Sequence, residues 1–311
     1  MDKEESRAVL AISLMAAFAD GSKADREREE IKRIAESMQD RDIDLLSLYQ
    51  DVLLGRLGLQ QAAAALGSEP LRQYAYEMAV CVCDADGSHS MQEKKFLDSL
   101  GAALGLDAKR TEAFAADAAH LAAMPLAASA SLDPVAPATG VDAAELDKMI
   151  FNYAILNGAL ELLPQNLASV AIIPLQMKMV YRIGKVHGFD LDRGHIQDFL
   201  ATAGVGLTSQ YVEQLGRKLL GGLLGQLAGG IGRGIGSAAA GGAFSFATTY
   251  ALGQVAKRYY AEGRKLSGES LKQAFGSMLD QGKAMGERYL PQIQQKAATL
   301  DLNQVMQAAR Q

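Results

Sequence analysis

Two short acidic stretches carry the residues of this chain best placed to do chemistry. Asp20 and Glu27 lie in Ala19-Asp20-Gly21-Ser22-Lys23-Ala24-Asp25-Arg26-Glu27-Arg28, and 66 residues later Asp86 and Glu93 lie in Ala85-Asp86-Gly87-Ser88-His89-Ser90-Met91-Gln92-Glu93-Lys94. Five of the ten positions are identical, and Ile31 and Ile34 of the first copy fall on Leu97 and Leu100 of the second, so the first part of the chain is an internal duplication. Paired carboxylates can serve as general acid and base in a metal-assisted hydrolysis, or they can simply cap helices. Against catalysis, His89 and His120 have no convincing partners in sequence. No Ser-His-Asp order or CxxC pair is present, and four histidines in 311 residues leave little for acid-base work.

Each copy reads as helix, tight acidic turn, helix. Asp-Gly ends one helix because glycine enters the left-handed conformation without steric penalty, and the next begins at Ala24 or Ser90. In the second copy Ser90-x-x-Glu93 is a capping box, whereas the first copy has Ala24 at the cap position, with Asp25 able to cap one register later. An EF-hand is excluded by spacing, since in Asp84-Ala-Asp86-Gly87 the glycine falls at loop position 4 rather than 6. Apolar positions recurring at three and four predict helices over 4–18, 25–38, 42–54, 60–66, 69–84, 90–104 and 107–124, with no alternating strand. The expected class is all-α. Cys81 and Cys83, two apart on one helix, point to different faces and are expected to be structural thiols, at least one of them buried, in a reduced compartment.

The duplicated Ala-Asp-Gly-x5-Glu on paired helices resembles the TerB-like tellurite-resistance family over roughly residues 5–120. That resemblance implies an all-helical bacterial stress-response domain, with divalent metal at the positions of Asp20, Glu27, Asp86 and Glu93. Hard cations, Ca2+ or Mg2+, are the expected guests, because carboxylate oxygens suit them. The repeat further predicts that an approximate twofold axis brings both Asp-Gly turns onto one face.

Charge divides unevenly: residues 1–120 carry 14 Lys+Arg against 22 Asp+Glu, and the remainder carries 17 against 14. An acidic first domain argues against nucleic acid as its partner, because phosphate binding needs a positive footprint. The acidic N-terminus lacks the basic start and apolar core of a signal peptide, so the expected location is cytoplasmic. Residues 124–141, alanine-rich with Pro125, Pro134 and Pro137, read as a linker between a helical domain at 1–123 and a second at 142–265, followed by polar helices at 266–311.

In the second domain Glu161 is the only charge between Lys148 and Lys178. The loop His187-Gly188-Phe189-Asp190-Leu191-Asp192-Arg193-Gly194-His195 offers possible metal donors, but Gly188 as a helix stop with Asp190 or Asp192 as a cap is the simpler account. Residues 216–242 hold eleven of the 31 glycines, spaced at three and four, which makes a small-residue face for close helix packing rather than a nucleotide loop. Gly234–Ala256 passes 23 residues without a charge, long enough to span a bilayer yet poor in large apolar side chains. Peripheral or hairpin membrane association and a tightly packed helix in water are both compatible with it.

Ile172–Gly188 together with Phe246–Gly263 resembles the YcjF-type domain of unknown function, which is associated with bacterial GTPase domains. Gln176, Tyr181, Gly188, Thr249 and Gly253 are the positions that align. The expectation is thus a non-catalytic stress-response protein: an acidic, cation-binding helical domain tethered to one that meets the cytoplasmic membrane surface or a GTPase. A helical scaffold whose acidic turns are only caps is the alternative, with metal-assisted hydrolysis behind it.

Overall fold

The computed structural model describes residues 3–19, 44–84, 90–123, 142–163, 170–205 and 235–301. The fold is all-α: the described residues form twelve helices and no strand. They divide into two compact units, one built on residues up to 119, the other on 120–205 and 239 onward.

The first unit contains α1 (Lys3–Ala17), α2 (Leu45–Leu53), α3 (Leu59–Ala64), α4 (Glu69–Cys83), α5 (Met91–Leu104) and most of α6 (Ala108–Ala122). α1 is its centre. Val9, Leu10, Ala11, Ile12, Leu14, Ala16 and Ala17 are all fully buried, the signature of a helix covered on nearly every side. It packs on α4, and α2, α3 and α5 also touch it. Ser13, buried in its middle, turns its hydroxyl back to Val9 O at 3.1 Å and so satisfies itself within the helix. Helix ends follow local chemistry. Ser68 caps α4 by accepting from Leu71 N, with Pro70 in the first turn, and Asp44 caps α2. Gly105 at φ +63° ends α5 in the left-handed conformation. Cys81 and Cys83 form no disulfide and are buried in α4 among Ala79, Val80 and Val82, as small apolar side chains.

The second unit contains α7 (Ala143–Glu161), α8 (Ile172–Val186), α9 (Arg193–Thr202), most of α10 (Ile235–Ala261), α11 (Gly268–Arg288) and α12 (Leu290–Thr299). α7 packs on α8 and α12, α8 on α9, and α11 on α9 and α12. Phe246 of α10 sits at the core with Ala154, Ala159 and Ile293, edge-on to Phe151 at 5.7 Å between ring centroids and stacked with Tyr250 at 6.2 Å. Residues after 265, polar in composition, contribute Ile293, Met285 and Tyr289 to this core. The break between them falls at Pro291, which opens α12.

Small residues let α10 approach its neighbours closely. A Cβ on Gly158 would lie 2.8 Å from Gly242 O, and one on Gly286 would lie 2.7 Å from Ala243 O; on Gly282 it would lie 2.8 Å from Ala247 O. The glycine-rich 216–230 segment lies outside the described residues. From 241 onward, however, the uncharged stretch is committed to packing: Ser245, Phe246, Ala247, Thr249, Ala251, Leu252, Val255 and Ala256 are buried. Among the described residues no helix is long and apolar enough to cross a membrane.

Candidate functional site

Of the four predicted ligands, Asp20, Glu27 and Asp86 lie outside the described residues, as do both Asp-Gly turns and therefore any axis relating them. Glu93 is described. It stands in the first turn of α5, where its Oε2 accepts from Ser90 N at 2.8 Å while its own amide donates to Ser90 Oγ at 3.1 Å. The capping box read from Ser90-x-x-Glu93 is thus formed. The Glu93 side chain is 2% exposed, which a cap alone does not require. Before the segment that carries Asp86, Asp84 closes α4, and it too is 2% exposed. Two carboxylates therefore reach inward where α4 leaves off and α5 begins, flanking the segment that carries Asp86. Taken by themselves, the described residues contain no group of three or more His, Cys, Asp or Glu arranged to hold a metal.

The histidine loop resolves as its caps suggested. Gly188, at φ +82°, terminates α8, and Asp192 Oδ1 accepts from His195 N at 2.8 Å to start α9.

A second polar group, in the second unit, joins three helices. Asn157 of α7 donates from Nδ2 to Thr249 Oγ1 of α10 at 3.0 Å, and Gln176 of α8 donates from Nε2 to the same oxygen at 3.1 Å. All three side chains are buried. Gln176 and Thr249, 73 residues apart and both aligned in the YcjF-type resemblance, are thus brought into direct contact. Two of the other three aligned positions have structural duties: Gly253 admits Ile150, a Cβ there lying 2.5 Å from Ile150 Cγ2, and Gly188 is the helix stop already described. One turn from Asn157, Glu161 is also buried and accepts from Ser245 Oγ at 3.3 Å.

Thr249 is the hub of this network. Replacing it by valine keeps the shape, strands the Gln176 amide and leaves Asn157 Nδ2 only its long contact with Ile172 O at 3.5 Å, so T249V is expected to lower the stability of the second unit by about 2 kcal/mol. Urea denaturation checks this, with loss of under about 0.5 kcal/mol showing that the amides find other partners.

Tyr153 and Asn157 were not singled out in the sequence, although a signal exists for them. Tyr153, Asn157 and Glu161 recur every four residues along α7, placing a buried polar row on one helix face. Lys178 interrupts the apolar run of Ile172–Val180 and is buried to 1% exposure, with no hydrogen-bond partner for Nζ. Burial, and then the positive charge of Arg182, push its pKa down.

Residues 1–118 match the model of a family described as "Protein of unknown function (DUF533)". No curated protein and no solved structure matches the chain.

Proposed function

We propose that this protein is a non-catalytic helical binding module of the bacterial stress-response kind. Its first unit takes a hard divalent cation, Ca2+ or Mg2+, at the acidic turns, and its second engages the cytoplasmic membrane surface or a GTPase. The observation that carries the cation reading is the burial of Asp84 and Glu93 on either side of the segment that holds Asp86. Two buried carboxylates bracket the segment that holds Asp86, and hard divalent cations take oxygen ligands of this kind. The reading of the second unit rests on the resemblance of 172–188 and 246–263, supported by the Gln176–Thr249 contact.

The formed capping box favours a second reading, in which the acidic turns only start and stop helices. Titration of the full chain with Ca2+ and Mg2+, followed by calorimetry, separates the two. Glutamine preserves the side-chain acceptor of a capping box, so E93Q is expected to keep the fold while weakening cation binding about tenfold, and D20N/D86N to abolish it. E93A, by contrast, loses the cap and about 1 kcal/mol of stability. Wild-type protein that takes up neither cation, or E93Q and D20N/D86N that bind as the wild type does, leaves the capping role as the function of these residues.

A further inference from the structure

We propose that the second unit contains an oxyanion-binding position formed by Lys178 and Arg182 of α8 with Tyr153 of α7. It takes a single carboxylate or phosphate group. Lys178 Nζ is buried without any hydrogen-bond partner, and the lysine side chain is 1% exposed. Arg182, one helical turn further on, lies on the same side of α8, near enough for its charge to act on the lysine. Its Nη1 reaches Tyr153 Oη at 3.5 Å. In that contact the tyrosine oxygen accepts, which leaves the phenolic hydrogen as a further donor on a fully buried side chain.

The cluster is made of donors. An ammonium carries three N–H groups, a guanidinium five, and a phenol one O–H, and among the three residues only the tyrosine oxygen accepts. Among the described residues no carboxylate contributes to the electrostatics of Lys178, whose surroundings and neighbouring cation both disfavour its charge. A buried ammonium without a counter-charge is costly. Lys178 Nζ is the donor left unsatisfied, and the group that would satisfy it beside the phenolic hydrogen and a second cation is a negatively charged oxygen acceptor, charge-assisted bonds to carboxylate or phosphate being the strongest such pairs. The cluster also has a surface end, since Arg182 is only partly buried while Lys178 and Tyr153 lie inside. An oxyanion would meet the guanidinium first and the ammonium second.

The test uses the full chain and thermal unfolding in a buffer free of phosphate and carboxylate, with inorganic phosphate and acetate added separately against sodium chloride at matched ionic strength. The expected result is a saturable rise in the melting temperature of the wild type with one of the two anions beyond that given by chloride, and an apparent dissociation constant at least about tenfold weaker in K178M and in Y153F. Which anion acts identifies the ligand group as phosphate or carboxylate. Responses equal to chloride, or equal in wild type and K178M, overturn the proposal. K178Q stands in should K178M fail to fold, and Met278 provides a control: M278L lies outside the cluster and is expected to respond as the wild type does.

Discussion

Leucine in place of Gly158 is expected to unfold the second unit, at a loss of about 3 kcal/mol or more. Gly158 lies on α7 where α10 crosses it, and the Cβ it lacks would fall 2.8 Å from the carbonyl oxygen of Gly242, 3.1 Å from Ile293 Cγ2 and 3.3 Å from Ile293 Cδ1. A side chain at the periphery can swing aside, but a backbone carbonyl moves only with its helix. α10 is held from the other side by Gly282 and Gly286, which receive Ala247 and Ala243 at similarly short range. It cannot retreat from α7 without disturbing that contact. The Asn157–Thr249 hydrogen bond lies on the same pair of helices, so separation of α7 and α10 breaks the polar hub as well. Gly276 is the matched control. It lies in α11, and nothing stands within 4 Å of a Cβ built there. G276A is therefore expected to raise stability by about 0.5–1 kcal/mol by removing backbone freedom from the unfolded chain. Urea unfolding of both variants decides the matter: a Gly158 variant within about 1 kcal/mol of the wild type would show that α10 is free to shift.

Methionine in place of Lys178 is expected to stabilise the protein, by about 2 kcal/mol at neutral pH in a buffer free of phosphate and carboxylate. The substitution keeps the unbranched stem and removes the ammonium, the one part of the side chain with no partner. The pH dependence has a definite sign. Because burial, and secondarily Arg182, lower the folded pKa of Lys178, the unfolded chain binds a proton that the folded unit does not between the depressed value and the ordinary lysine value of about 10.4. Stability of the wild type thus falls as pH is lowered through that window. K178M lacks this contribution, so its advantage over the wild type should grow from pH 10 toward pH 7. Thermal unfolding across that range measures it, and a variant less stable than the wild type, or an unchanged gap, would show that the ammonium is solvated in the fold.

Local chemistry was legible in the sequence wherever one residue acts on its near neighbours. Ser90-x-x-Glu93 gave the capping box, and Gly188 with Asp190 or Asp192 gave the stop and start around the histidine loop, the start being Asp192. Periodicity at three and four gave the all-α class, since an amphipathic helix announces its buried face within two turns. The carboxylates were legible as a repeat but not in their depth: a spacing shows that Glu93 can cap α5 and cannot show that it is 2% exposed there.

What lay beyond reach of the sequence depends on elements far apart in the chain. Thr249 reads as one more small residue in an uncharged helix, and only the packing of α7, α8 and α10 delivers two amides from 92 and 73 residues away to its hydroxyl. The uncharged stretch after Gly234 is equally compatible with lipid and with a protein core, because both reward the same apolar composition. The tertiary structure shows its residues from 241 onward packed inside the second unit. Lys178 is the sharpest case. In sequence it is a lone cation within an apolar run, as a snorkelling lysine can be. Its enclosure beside Arg182 follows from which face of α8 the other helices cover, and that is decided only when they pack.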